Sequence, residues 1–205
     1  WGVLELPELP RRAQAPIQEG LWSGLYRGLR GGVRAVREDE AILRLLAMTL
    51  LIAFFIAPFI GLVPAFGAKV LHTDERHVAG LVSCQGLGAV LAAVSIAALA
   101  LRLGPRMLIE GAMLAMGPLA MAYWLSPGPY FAAALILPMG FTYLVATTGS
   151  SSVCQSRVGP ELRGRVASLY SSVLNAGYVA GVTLAGTLGD LLGLVPVGVA
   201  FSASF

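Results

Sequence analysis

Six of the uncharged polar side chains within long apolar stretches of the sequence are candidates for a functional path. Their hydroxyl and amide groups donate and accept hydrogen bonds, and polar groups at such positions usually face the interior of a helix bundle or a water-filled cavity. Threonine has an alternative, because it also bonds the carbonyl four residues earlier on its own helix. We expect Gln85 and Asn175 to be the strongest candidates for a path that binds a small-molecule substrate, because an amide is harder to satisfy locally. The full set is Gln85, Thr142, Tyr143, Thr147, Asn175 and Tyr178.

The spacing of residues supports no motif for catalysis or metal binding. The Gly86-Leu87-Gly88 run lacks the third glycine of a dinucleotide-binding turn. His72 and His77 match no zinc-ligand spacing. The sequence therefore predicts a protein that is not an enzyme, has no metal or cofactor, and binds no nucleic acid.

Five long apolar stretches predict helices that cross a membrane. Each stretch has the length of ~20 residues that a helix needs to cross a ~30 Å hydrocarbon core. With 57% hydrophobic and 12% charged residues, the composition excludes a water-soluble protein. The predicted fold class is all-α, a polytopic transmembrane helical bundle. The stretches are residues 45–66, 78–101, 107–125, 130–153 and 166–189.

The two ends of the sequence lead us to expect a fragment. A sixth apolar stretch begins at Leu194 and stops at Phe205 after 12 residues, and the chain opens at Trp1 without Met. The organisation that we predict is a cytoplasmic linker at residues 1–20, an amphipathic interfacial helix at 21–40 and the transmembrane bundle at 41–205. A solvated helix is the alternative for residues 21–40, because Gly28, Gly31 and Gly32 weaken the helix.

Basic residues predict the topology. Twelve of the 14 Lys and Arg residues lie before residue 45, at 102–106 or at 154–165. Cytoplasmic loops are enriched in Lys and Arg, so these segments are expected on the cytoplasmic side of a cell membrane, inner or plasma. Lys69 and Arg76 are then external. Tyr123, Trp124 and Tyr130 flank the outer turn at 126–129, which predicts an aromatic belt at that interface.

Small residues recur every four positions in the second and fifth stretches. Such stripes let two helix backbones approach closely, which stabilises helix association in lipid. The pattern fits either a static packing contact or a contact along which helices slide. The stripes comprise Gly80, Cys84, Gly88 and Ala92 in the second stretch and Gly177, Gly181, Ala185 and Gly189 in the fifth.

Two cytoplasmic segments resemble those of the major facilitator superfamily of transporters. Residues 158–166 read Val-Gly-Pro-Glu-Leu-Arg-Gly-Arg-Val, with Arg163, Gly164 and Arg165 at the centre, and resemble the junction between its tenth and eleventh helices. Residues 102–106, with Arg102, Gly104 and Arg106, resemble a degraded copy of its Asp-Arg-x-Gly-Arg-Arg loop, in which Leu101 replaces the acid. The similarity is greatest to the branch that contains the enterobactin exporter and macrolide-efflux proteins.

The resemblance implies helices seven to eleven and the start of twelve, the C-terminal half of a major facilitator fold. It also implies alternating access, with a preceding N-terminal six-helix half as partner in the lipid bilayer and protons as a possible coupling ion. The function expected is secondary active efflux of amphipathic small molecules, such as drugs or siderophores, by an antiporter. A non-transporting scaffold or receptor-like membrane protein with the same fold is the alternative.

Overall fold

The computed structural model describes residues 39–205, and within that range the chain forms six helical segments and no strand. Residues 1–20 and nearly all of 21–40 lie outside the described residues, so the predicted linker and interfacial helix stay predictions. The all-α fold is confirmed. The helices are α1 (Glu40–Lys69), α2 (Glu75–Leu103), α3 (Pro105–Trp124), α4 (Pro129–Ser156), α5 (Pro160–Leu192) and α6 (Leu194–Ser204).

Four of these helices, α1 to α4, are long and apolar enough to cross a membrane by length and composition. The fifth predicted span, α5, has 33 residues but does not reach the same hydropathy. Its glycines, serines and threonines lower the average. The sixth helix, α6, is apolar but has only 11 residues.

Helix α1 changes its hydrogen-bonding pattern near the middle of the span. Residues Ile52–Ile56 form a π-helical turn, and the Ala57 amide donates to the Ile52 carbonyl over 2.8 Å. Pro58 follows directly and has no N–H group, so the regular α-helical pattern cannot continue through it. The irregularity has an identifiable cause in the sequence.

Short connections join the helices. Asp74 accepts a hydrogen bond from the His77 amide at 3.1 Å and caps α2. Gly104 alone connects α2 to α3, and Gly193 alone connects α5 to α6. Both adopt positive φ angles, 81° and 93°, which a side chain would disfavour. The predicted loop at 102–106 is therefore mostly helical, because Pro105 starts α3 at once.

The core lies between α1, α3 and α4. Phe66 packs against Tyr123 and Trp124, with ring centroids 4.9 and 5.2 Å away. Tyr123 is 0% exposed and Trp124 4%, so these two rings do not form the predicted aromatic belt. Tyr130, which is exposed, fits that prediction better. From the sequence alone, aromatic residues near the end of a span fit an interfacial belt and a protein core equally well. The contacts with α1 place Tyr123 and Trp124 in the core.

Candidate functional site

One face of α5 is both exposed and polar. Ser168, Ser172, Asn175, Thr183 and Thr187 all lie on the surface of the described structure. Their spacing of three, four or eight residues places them on one side of the helix. An open, mostly apolar groove of about 660 Å³ runs along this side, and Asn175, Thr183 and Thr187 are the polar residues that line it. We call this surface the polar face of α5.

Three side chains of the polar face donate a hydrogen bond back to the same helix. The Asn175 amide donates to the Ser171 carbonyl at 2.8 Å, the Ser172 hydroxyl to Ser168 at 2.9 Å and the Thr187 hydroxyl to Thr183 at 2.8 Å. The expectation that an amide finds no local partner is therefore wrong for Asn175. The lone pairs of these groups, and the second amide hydrogen of Asn175, stay available to a ligand.

The six predicted path residues are distributed over three helices. No hydrogen bond joins any two of their side chains within residues 39–205. Thr142 donates to the Pro138 carbonyl at 2.9 Å and Thr147 to the Tyr143 carbonyl at 2.8 Å, which is the self-bonding alternative for threonine.

Tyr143 and Tyr178 both reach α1. The Tyr143 ring packs edge-on against Phe59, with centroids 6.2 Å apart. A Cβ placed on Gly61 would lie 2.9 Å from the Tyr178 hydroxyl, so this hydroxyl occupies the space beside that glycine. Gln85 is half-buried on α2, where its backbone lies against Gly140 of α4. Only Asn175 of the six is exposed.

The glycine stripes pack within the described bundle. A Cβ on Gly181 would collide with the Phe54 carbonyl oxygen of α1, and one on Gly177 would lie 2.8 Å from the Ala53 side chain of the same helix. Gly88 meets α4 in the same way, since its Cβ would collide with the carbonyl oxygen of Leu137.

The glycines at the ends of the two stripes differ in their contacts. Gly189 lies against Leu194, the first residue of α6. Gly80 is exposed and has no heavy atom within 4 Å of its Cβ position, so in the described residues it makes none of the close contacts that a packing stripe would give it. Periodicity alone does not show that Gly80, unlike Gly88, has open space at its Cβ position.

The predicted cytoplasmic loop at 154–165 is shorter than expected. Helix α4 continues to Ser156 and α5 begins at Pro160, so Arg163, Gly164 and Arg165 form the first turns of α5. Arg106 and Glu110 form an ion pair at 2.7 Å, and Arg102 is exposed at the end of α2. The arginines of both segments project from helix ends rather than from flexible loops.

Two ion pairs that sequence reasoning missed join helix ends. Asp39 caps α1 and bonds Arg157 at 2.8 Å, and Lys69 bonds Asp190 at 2.8 Å. The Arg157 guanidinium holds the pKa of the Asp39 carboxyl below its usual value. Residues 39 and 157 thus lie at one end of the bundle, and residues 69 and 190 lie at the other. The distribution of basic residues predicts that these two groups lie at opposite ends. The side of the membrane that each end faces stays a prediction.

These features define a multi-pass integral membrane protein, a bundle of antiparallel helices with one exposed polar face. The sequence matches the family model of the Major Facilitator Superfamily over residues 2–201. The chain therefore belongs to the major facilitator superfamily, whose members are transporters. Comparisons with curated proteins and with solved structures find no match.

Proposed function

We propose that this protein exports amphipathic small molecules, such as drugs or siderophores, by alternating access, and that the polar face of α5 lines its substrate cavity. The observation that carries the proposal is the contrast between this face and the exposed apolar surfaces of α2 and α3. Val94 of α2 is 74% exposed, Leu114 of α3 is 78% exposed, and both are apolar. Such surfaces suit contact with lipid chains.

A row of hydroxyl and amide groups does not suit contact with lipid. Their unused hydrogen-bonding capacity would stay unsatisfied in hydrocarbon, whereas water or a substrate would satisfy it. The groove between these groups also presents apolar side chains from Val179 and Leu184. A surface that alternates hydroxyls with apolar groups complements an amphipathic ligand better than a fully polar or fully apolar one.

The opposite wall of the cavity is proposed to come from an N-terminal six-helix half of the same chain. Gln85, Tyr143 and Tyr178 would contribute to the path from the α2, α4 and α5 side as the two halves rearrange. Protons are the proposed coupling ion. The carboxylates of Glu110 and Asp190 form ion pairs at helix ends, so we place the proton-carrying group outside the described residues.

The direction of transport rests on the resemblance of the Arg163-Gly164-Arg165 junction to the exporter branch of the family. Alternating access results in export when the site binds substrate on the cytoplasmic side and releases it outside. Localisation in the cell membrane, inner or plasma, is part of the same proposal.

Accessibility to water tests the cavity directly. Single cysteines at 175 and 183 in the intact transporter, with native Cys84 and Cys154 replaced, should react with a water-soluble maleimide, and a substrate should protect them. A cysteine at Val94 is the matched control, since Val94 is also exposed in the structure but is expected in lipid. Equal reactivity at 94 and 175 would contradict the assignment.

Export is tested separately, with cells that carry the intact transporter and a fluorescent amphipathic dye. Asn175→Leu should change the initial rate of dye efflux several-fold at unchanged protein abundance, because the cavity loses a hydrogen-bonding group. Val94→Leu should not. If no dye in a chemically varied panel moves while position 175 is accessible to water, the scaffold or receptor-like alternative is favoured.

A further inference from the structure

An open groove of about 270 Å³ lies between the first turns of α2 and α4. Helix α5 contributes no residue to it, so it is separate from the polar face of α5. Both α2 and α4 begin at the end of the bundle that carries the Lys69–Asp190 ion pair, and the groove therefore lies near that end. We call it the α2–α4 groove.

The α2–α4 groove exists because the two helices diverge toward this end. A Cβ on Gly88 would collide with the Leu137 carbonyl oxygen, so the helix backbones are in close contact there. Gly80 lies eight residues earlier in α2 and lines the groove, yet no heavy atom is within 4 Å of its Cβ position. The helices are therefore further apart at Gly80, and this glycine has no side chain to fill the space between them.

The chemistry of the groove changes along its length. Arg76 lines it at the start of α2, and Cys84 lies eight residues further on, roughly 12 Å deeper at 1.5 Å per residue. That distance is most of one half of a ~30 Å hydrocarbon core. Gly80, Leu81 and Ala133, which line the groove as well, are small or apolar. The groove therefore has a charged mouth and an apolar floor.

An arginine guanidinium supplies the charge at the mouth. Arg76 is exposed and takes part in no ion pair within residues 39–205. The nearby carboxylate of Asp74 is engaged elsewhere, because it caps α2 and bonds the His77 ring. Glu75 does not line the groove. The His77 ring packs edge-on against Tyr130 of α4, with centroids 5.9 Å apart, so the mouth also presents a phenol.

We propose that the α2–α4 groove binds a phospholipid, with the head-group phosphate at Arg76 and an acyl chain along the apolar floor. A guanidinium matches the geometry of a phosphate and stays charged, and basic residues in grooves between membrane helices recognise lipid phosphates. A free phosphate would use only the mouth, and a fully apolar ligand only the floor. A phospholipid uses both. The site requires insertion in a bilayer and does not rest on the export proposed above.

The test is photo-cross-linking of the intact transporter, purified in a non-ionic detergent without phospholipid. The probe is a phosphatidylglycerol that carries a diazirine on one acyl chain, and mass spectrometry locates the cross-links. We expect saturable labelling of the first turns of α2 and α4. A diacylglycerol with the same chains, which lacks the phosphate, should need a several-fold higher concentration for half-saturation. Arg76→Gln should raise the half-saturating concentration of the phosphatidylglycerol probe roughly fivefold, the effect of one basic residue near a lipid phosphate.

Two pairs of variants separate the groove from general contact with lipid. Gly80→Leu places a side chain in the open space of the floor and should remove most of the labelling. Gly86→Leu is its control, because Gly86 is exposed on the same helix, also has open space at its Cβ position and does not line the groove. Arg102→Gln, at the other end of α2, is the control for Arg76→Gln and should label like the parent protein.

Several outcomes would overturn the proposal. Equal half-saturation for Arg76→Gln and the parent, or for diacylglycerol and phosphatidylglycerol, would show that the phosphate is not recognised. Labelling of Gly80→Leu equal to that of Gly86→Leu would show that the floor holds no chain. Competition by inorganic phosphate as strong as that by unlabelled phosphatidylglycerol would indicate a free-anion site instead. Absence of saturable labelling in the groove would mean that another protein segment or a second copy covers it.

Discussion

The contact between Gly181 and Phe54 gives the sharpest test of how the bundle is held together. A Cβ on Gly181 would lie 2.9 Å from both the carbonyl carbon and the Cα of Phe54, and these are backbone atoms that no rotamer change can move. Carbon atoms in contact prefer about 3.5–4.0 Å, so α1 must retreat from α5 by roughly 0.6–1.1 Å. Overpacking of this kind typically costs about 1–3 kcal/mol.

Gly186→Ala is the matched control for Gly181→Ala. It adds the same methyl group on the same helix, and its Cβ would lie 3.9 Å from Leu62, an ordinary contact distance. Both variants gain the same intrinsic helix propensity, about 1 kcal/mol over glycine, so their difference isolates the packing cost. We expect Gly181→Ala to melt about 2–12 °C below Gly186→Ala, using about 2–4 °C per kcal/mol.

With the half-buried Cys84 replaced, Cys154 provides the readout, because it is 0% exposed and reacts with a thiol-sensitive fluorescent dye only when the protein unfolds. The purified protein is heated in detergent and the dye signal gives the midpoint. Equal midpoints for Gly181→Ala and Gly186→Ala would refute the close approach of α1 and α5. A Gly181→Leu variant should abolish transport for the same reason.

Two of the three other predictions use the same preparation, and the third uses intact cells. Gly104→Ala should destabilise the α2–α3 connection by about 1–3 kcal/mol, because φ is 81° there, whereas Gly111→Ala, with open space at its Cβ, should not; equal dye midpoints would contradict this. The ion pair lowers the pKa of Asp39 from 3.8, so it stabilises the fold above about pH 4 and ceases to do so as the pH falls through the lowered value. The midpoint of the parent should therefore fall more than that of Asp39→Asn between about pH 5 and pH 3, and parallel curves would count against the pair. A cysteine replacing Arg76 should react with an impermeant reagent on intact cells and one replacing Arg165 should not; the reverse pattern would invert the topology.

Features that depend on short stretches of chain could be predicted from the sequence. The apolar stretches predicted the helices because the length needed to span a bilayer is a local property. The cap at Asp74 and the pair between Arg106 and Glu110 each involve residues three or four positions apart. Local spacing fixes such contacts before any tertiary structure forms.

Features that depend on distant parts of the chain could not be predicted. Asp39 and Arg157 are 118 positions apart, and nothing in either segment indicates its partner. The sequence also does not show which helix packs against each glycine stripe. A stripe shows only that some helix can approach closely. Asn175 was misjudged for a different reason, because its amide reaches the carbonyl of Ser171 on its own helix.

The modest hydropathy of α5 follows from its two faces. The side that carries Gly177 and Gly181 lies against α1, where small residues serve better than large apolar ones. The opposite side carries Ser172 and Asn175, which favour water over lipid. A helix that touches lipid over little of its surface has no need of the large apolar residues on which hydropathy depends. The lower hydropathy of α5, compared with α1 to α4, therefore supports its proposed place beside an aqueous cavity.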